Sequence, residues 1–200
     1  MTAATVDYYF ATVSPWAWLG HARFVAMARA TGATVRVKPM DLGEIFPVTG
    51  GLPLPKRAPQ RQAYRLIELK RFADHLGLPL IPQPAHFPVN GNAAALLIIA
   101  TDEAAGADAA LDLAGRVGAA IWAEQRNVAD PVELQALLAE AGLPASLAER
   151  AADPGTAARY AAYTADALAA GVFGAPSYLI DGELFWGQDR LDFVERRLRA

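Results

Sequence analysis

The sequence predicts an α/β fold that carries a large all-helical insertion, and three observations predict it. Runs with strand, helix and strand character open the chain between Thr5 and Met40. A pair of short strand-like runs and a helix close it after Gly171. The stretch between them reads almost wholly as helix, broken at Gly and Pro. The 200 residues are 54% hydrophobic and 20% charged, enough to bury a core without a metal or disulfide staple. There is no cysteine, which excludes exchange between protein thiols and disulfides and any thiolate metal site. A net charge of −3 gives no general attraction to nucleic acid or to an anionic membrane. No apolar run approaches the roughly 18 residues of a membrane span. Met1 to Thr12 lacks the basic start and apolar core of a secretory signal, so the expectation is a soluble cytoplasmic protein.

Thr5 to Thr12 is rich in β-branched and aromatic residues and reads as a buried strand, punctuated by Val13-Ser14-Pro15. Ser14 suits a helix N-cap and Pro15 the first helical position, where its missing N–H would be unpaired anyway. Trp18, Leu19, Ala22, Val25, Ala26 and Ala30 follow helical spacing up to Gly32, a C-terminal stop. Thr34 to Met40 is a second strand, and strand-helix-strand favours a parallel pair with a right-handed crossover. Leu42 to Arg61 reads as loop because Pro47, Gly50, Gly51, Pro53, Pro55 and Pro59 interrupt it. A helix is predicted from about Gln60 to His75, then a proline-rich loop from Pro79 to Pro88. Asn92 to Ala170 reads as successive helices with breaks near Gly106, Asp130-Pro131, Gly142 to Pro144 and Asp153-Pro154. Pro176 to Ile180 and Glu183 to Trp186 read as strands joined at Asp181-Gly182, a hairpin turn signal. Asp189 to Arg199 reads as the closing helix.

This order is that of a thioredoxin-like domain with an insertion. The expected division is a thioredoxin-like domain of residues 1–45 and 168–200 with an inserted helical domain of residues 46–167.

Three separated motifs carry a family resemblance over nearly the whole chain. They are Asp7-Tyr8-Tyr9-Phe10 with Ser14-Pro15-Trp16-Ala17-Trp18-Leu19-Gly20, then Gly171-Val172-Phe173-Gly174-Ala175-Pro176, then Trp186-Gly187-Gln188-Asp189-Arg190. Together they resemble the 2-hydroxychromene-2-carboxylate isomerase family, which is close to kappa-class glutathione transferases. The resemblance implies glutathione as cofactor and a homodimer, for which the helical insertion supplies apolar surface.

In a thioredoxin fold the start of the first helix holds the reactive sulfur, because unpaired N–H groups and the helix dipole stabilise an anion there. Ser14 occupies that place. An unactivated serine is a poor nucleophile, and no His, Lys or acid lies near it in sequence. The simpler catalytic reading is that Ser14 donates a hydrogen bond to an external thiolate; lowering a thiol pKa by one unit takes about 1.4 kcal/mol. The alternative is that Ser14 only caps the helix, and the two roles are compatible. The resemblance further implies a cis Ala175-Pro176 bond, with the peptide groups of Ala175 pairing in β fashion with the cysteinyl part of glutathione. In the same reading Asp189 pairs with the γ-glutamyl ammonium and Gln188 helps hold its α-carboxylate. Against this stand an ordinary proline at a strand start and an aspartate that serves as N-cap.

Lys56, Arg57, Arg61 and Arg65 form a positive run, with 57, 61 and 65 spaced along one helix face. Lys56 and Arg57, in the proline-rich loop, are the candidates for binding a substrate carboxylate, whereas Arg65 reads as part of a solvated charged face. The three histidines form no ligand cluster, and no metal is expected. His21 lies about 10 Å along the helix from Ser14, and His75 sits near a helix end. His86, in the loop, is a substrate-binding candidate with its neighbour Asn90. Trp16, next to Ser14-Pro15, would line an aromatic acceptor site. The leading expectation is isomerisation by reversible thiolate addition to a small molecule, with no nucleic-acid or membrane partner. A glutathione transferase or peroxidase at the same site, and a non-catalytic thioredoxin-like binding module, are the alternatives.

Overall fold

Nine α-helices and a four-stranded sheet make up residues 4–200, the part described by the computed structural model. Strand β1 (Thr5–Phe10) leads through α1 (Pro15–Thr31) to β2 (Thr34–Pro39), then α2 (Leu42–Thr49) and α3 (Pro59–Leu76). Five helices follow: α4 (Asn92–Ala105), α5 (Ala107–Trp122), α6 (Pro131–Glu140), α7 (Leu147–Ala151) and α8 (Pro154–Ala169). The chain closes with β3 (Ser177–Ile180), β4 (Glu183–Trp186), a 3₁₀ turn at Gln188–Arg190 and α9 (Leu191–Arg199). The sheet order is β2-β1-β3-β4; β1 and β2 are parallel, and the pairs β1/β3 and β3/β4 are antiparallel. No helix among the described residues is long and apolar enough to cross a membrane.

Strand alternation divides the interior into two faces. Val6, Tyr8 and Phe10 of β1, with Val35, Val37, Tyr178 and Ile180, join a core shared with α1, α4, α5 and α9. Tyr8 stacks on Phe10, on Phe24 and on Tyr178 at centroid distances of 4.7, 4.6 and 5.4 Å. Tyr9 points the other way, into a smaller cluster with Met40, Ile45, Ala167 and Val172. The hairpin turn has Asp181 and Gly182 in the left-handed region, at φ of 49° and 83°, which matches the right-handed strand twist.

The expected loop from Leu42 to Arg61 is corrected by α2 and by a 3₁₀ turn at Leu54–Lys56. Asp41 starts α2: its Oδ1 accepts the Gly43 N–H at 2.7 Å. Pro47 lies inside the helix and cannot donate to the Gly43 carbonyl one turn earlier, a loss the helix survives with Ile45 anchored in the core. Asp189 is likewise corrected as a cap: it lies inside the 3₁₀ turn and α9 begins later, at Leu191, with no side-chain cap.

His21 is buried in α1. Its Nε2–H donates to the Leu111 carbonyl at 2.8 Å, which leaves Nδ1 to accept from the Tyr8 hydroxyl at 3.2 Å. Burial pulls its pKa below the ordinary value, outweighing the Leu111 bond and Asp112. The unfolded chain therefore binds the proton more readily, so this contribution to stability is present above pH about 6.5 and is lost as pH falls through the folded pKa. The denaturant midpoint of the native protein should drop between pH 8 and 5, and His21→Gln should flatten that drop; equal slopes would assign it to other groups.

Helix α5 approaches α1 closely at Gly118, where an added Cβ would lie 2.9 Å from Cγ of Trp18. Gly118→Ala should therefore lower the thermal midpoint by several degrees, in line with about 1 to 3 kcal/mol of overpacking. An unchanged midpoint would show that the α1–α5 contact yields freely.

Candidate active site

Where β1 ends, the chain turns so that the Ser14 N–H donates to Ala11 O at 2.9 Å, and α1 begins at Pro15. Ser14 has extended backbone, and its Oγ accepts the Ala17 N–H at 3.2 Å. The cap is real, yet the hydroxyl proton has no acceptor among the described residues, so Oγ keeps a donor. The first turn of α1 carries no acidic side chain, which leaves the positive end of the helix unneutralised.

The Ala175–Pro176 bond is cis. Tyr9 pairs with Ser177, so continuing the antiparallel register sets Ala175 beside Ala11, at the turn that delivers Ser14. Pro176 is held by its carbonyl, which accepts the Gly187 N–H at 2.9 Å, and Ser177 Oγ donates to Gly174 O at 2.8 Å. Among the described residues the N–H and C=O of Ala175 make no hydrogen bond, so its backbone edge is free to pair with an extended ligand.

Gln188 is buried against α1, where Gly20 leaves room for it: an added Cβ there would lie 2.7 Å from Gln188 Cβ. Its backbone carbonyl accepts from Arg23 Nη2 at 3.0 Å, and its side-chain Oε1 accepts from the same guanidinium. Asp189 is exposed and its Oδ2 pairs with Arg190 at 2.6 Å. Both residues border a cleft of ≈ 280 Å³ that is also lined by Arg23, Phe72, His75 and Asp192.

The remaining candidates scatter around this end of the molecule. Trp16 packs edge-on against Phe72 at 5.9 Å. Lys56 is exposed; Arg57 is half-buried, donates from Nε to Leu52 O at 2.7 Å and lies over the Phe46 ring. Exposed Asn90 accepts the Asn92 N–H at 2.8 Å through Oδ1, which serves the start of α4, and His86 is exposed on the same loop. Thr12 Oγ1 donates to Gly91 O at 3.0 Å and so ties that loop to the segment before Ser14. Arg65 is corrected: it is buried, with its guanidinium over the rings of Phe87 and Trp122, and is no part of a solvated face.

Sequence reasoning passed over one further cluster, on the Tyr9 face of the sheet. Lys38 Nζ lies 3.3 Å from Asp7 Oδ2, 3.2 Å from the Tyr9 hydroxyl and 3.4 Å from Asp166 Oδ2. Burial alone would lower the Lys38 pKa, but Tyr9 and Asp7 outweigh it and hold the ammonium above its ordinary value. Burial also raises Tyr9, so a neutral phenol accepts from a charged amine. The signal was present: Asp7 and Tyr9 in β1, and Arg36 and Lys38 in β2, alternate onto one face.

A family model described as DSBA-like thioredoxin domain matches residues 5–199. The 2-hydroxychromene-2-carboxylate isomerase of Sphingobium xenophagum is 32% identical over 197 residues, covering 97% of each chain. A solved structure of 2-hydroxychromene-2-carboxylate isomerase superposes with a TM-score of 0.81 at 28% identity, over 98% of this chain and 94% of that one. Glutathione S-transferase kappa 1 of Caenorhabditis elegans is 31% identical over 80 residues, covering 40% of this chain and 35% of its own length.

Lys38→Met should destabilise the protein by about 3 kcal/mol, the low end for a broken buried pair, because Arg36 stays beside Asp7. The ion pair from Arg36 Nε to Asp7 Oδ1 is 2.6 Å. Asp7→Asn in the same background should recover part of the loss in a double-mutant cycle; additive losses would show that the two charges do not couple.

Proposed function

The chain belongs to the DSBA-like thioredoxin family and, within it, to the 2-hydroxychromene-2-carboxylate isomerase family, and from that membership we propose that it is a glutathione-dependent isomerase. The proposed substrate is 2-hydroxychromene-2-carboxylate or a related aromatic ring-cleavage product. One observation carries the reading: the helix end built to stabilise an anion bears a hydroxyl donor and no thiol or acid, so the anion it serves must come from a ligand. The residues fit a thiol tripeptide. Ala175 offers an unpaired N–H and C=O beside Ser14, and Asp189 offers carboxylate at the mouth of the cleft.

Bound glutathione supplies a thiolate that adds to the conjugated double bond, permits rotation about the resulting single bond and is expelled unchanged, without net oxidation. Ser14 donates its free hydroxyl proton to the sulfur anion, and the N–H groups opening α1 add their dipoles. Ala175 aligns the cysteinyl backbone, while Gln188 and Asp189 receive the γ-glutamyl end. Trp16, Lys56, Arg57, His86 and Asn90 stand on the surrounding elements as proposed substrate contacts. The reading includes a cytoplasmic homodimer. A kappa-like transferase or peroxidase, which would consume the thiol at the same Ser14, is the second reading, favoured by the partial match to the kappa transferase.

Ser14→Ala should slow isomerisation by about ten- to a hundredfold, the worth of one hydrogen bond to a charged group, while calorimetry finds glutathione affinity little changed. Asp189→Ala should weaken glutathione binding instead. Ser14→Cys should form a mixed disulfide with glutathione under mild oxidant, seen as an intact-mass adduct. Full activity in Ser14→Ala together with an exposed but unmodified Ser14→Cys would reduce Ser14 to a cap. Incubation of 2-hydroxychromene-2-carboxylate with the wild-type protein, following product isomer and free thiol together, separates isomerase from transferase.

A further inference from the structure

Three helices converge beyond the Ser14 end of α1. Trp16 and Arg23 of α1 meet Phe72 and the residues after it, so α3 runs in the same direction as α1. Gly115 faces His21 and Gly118 faces Trp18, so α5 runs the opposite way. The early turns of α3 and the last turn of α5 therefore both extend past Ser14. Arg65 precedes Phe72 by two turns, about 10 Å, and Trp122 follows Gly118 by one. They meet there: the Arg65 guanidinium lies 5.7 Å from the Trp122 ring and 5.4 Å from that of Phe87, on the loop tied to Thr12.

Arg65 is only 9% exposed, and no described carboxylate or carbonyl accepts from it. The chain's other buried cation, Lys38, has two carboxylates within reach. Burial first, then the neighbouring Arg57, lowers the Arg65 pKa to about 10, which leaves it charged at neutral pH. Trp122 is fully buried, and its indole N–H also lacks a partner among the described residues. Two donors without an acceptor among the described residues, one the indole N–H and the other a guanidinium with the Phe87 and Trp122 rings together on one side and its nitrogens still reaching solvent, leave an anion's place to be filled.

We propose that Arg65 binds the carboxylate of a planar conjugated acid at the Ser14 end of α1, which makes it a substrate-specificity residue. The acid's identity as substrate rests on the isomerase reading; the anion site itself rests on the geometry. Arg65 joins the proposed substrate contacts Lys56 and Arg57 as the one buried cation of the three; Lys56 is exposed and Arg57 is bonded to its own loop.

The probes are trans-cinnamate and its neutral amide, titrated calorimetrically into the full chain without glutathione. Wild type should prefer cinnamate. Arg65→Met should lose about tenfold or more of the cinnamate affinity, the loss expected for a charge-assisted hydrogen bond, and keep the amide and glutathione affinities. Arg65→Lys should fall between. Circular dichroism checks each fold. If Arg65→Met does not fold, Trp122→Phe, which keeps a ring and removes the N–H, decides by a severalfold loss for cinnamate alone. A wild type indifferent to the charge, or variants that keep the preference, would overturn the proposal. Charge-selective binding that depends on Arg65, in a protein with no isomerase activity, would support the anion site and overturn only the isomerase reading.

Discussion

Everything at the candidate site depends on one constraint: the first turn of α1 must end in free N–H groups at the point where β1 runs out. A helix end so placed is electrostatically unfinished. The turn from Ala11 to Ser14 fixes its position through a backbone hydrogen bond, and the Thr12 bond to Gly91 braces it from the side. The antiparallel register of β1 with β3 then brings Ala175 alongside. Gly20 and Gly118 matter for the same reason: each lets a neighbouring element approach the helix closely enough to hold its axis still. Substitutions there act on the site through the direction of α1.

The two buried cations show how the fold distinguishes structural from unspent charge. Lys38 sits under the sheet with Asp7, Asp166 and a neutral Tyr9, so its charge is offset within the chain. Arg65 has aromatic faces where Lys38 has carboxylates. Rings attract a cation, but they do not accept its hydrogen bonds in the plane of the guanidinium. The edge of that group therefore has no acceptor among the described residues, and it lies at the same end as the start of α1.

Much of the fold was legible because local rules and tertiary structure agree. The Asp181-Gly182 turn, the stop at Gly32 and the helix breaks at Gly106 and Asp153-Pro154 are backbone statements that need no distant partner. Helix α2 was missed because proline normally marks a break, whereas an Asp41 cap and a buried Ile45 are enough to sustain eight residues around Pro47. At the site, Ser14 was legible as a cap because its place before Pro15 is a local signal. Arg65 was not, since arginines at 57, 61 and 65 describe a solvated face until Phe87 and Trp122 arrive from elements more than twenty and fifty residues away. The closing helix was expected from Asp189 and begins at Leu191, because the 3₁₀ turn before α9 leaves no local trace distinct from a helix start.

The choice of serine at the head of α1 carries the remaining step. Its oxygen already accepts from the Ala17 N–H, so the helix is satisfied without consuming the hydroxyl proton. A carboxylate cap would satisfy the helix equally well but would place a negative charge where an incoming anion must sit, and an alanine would leave the backbone donor bare. Serine is the smallest of the neutral caps that both accept and donate. With no cysteine in the chain, an anion held by this arrangement under the proposed function is a ligand's, and the proposal sets that ligand's backbone along the free edge of Ala175.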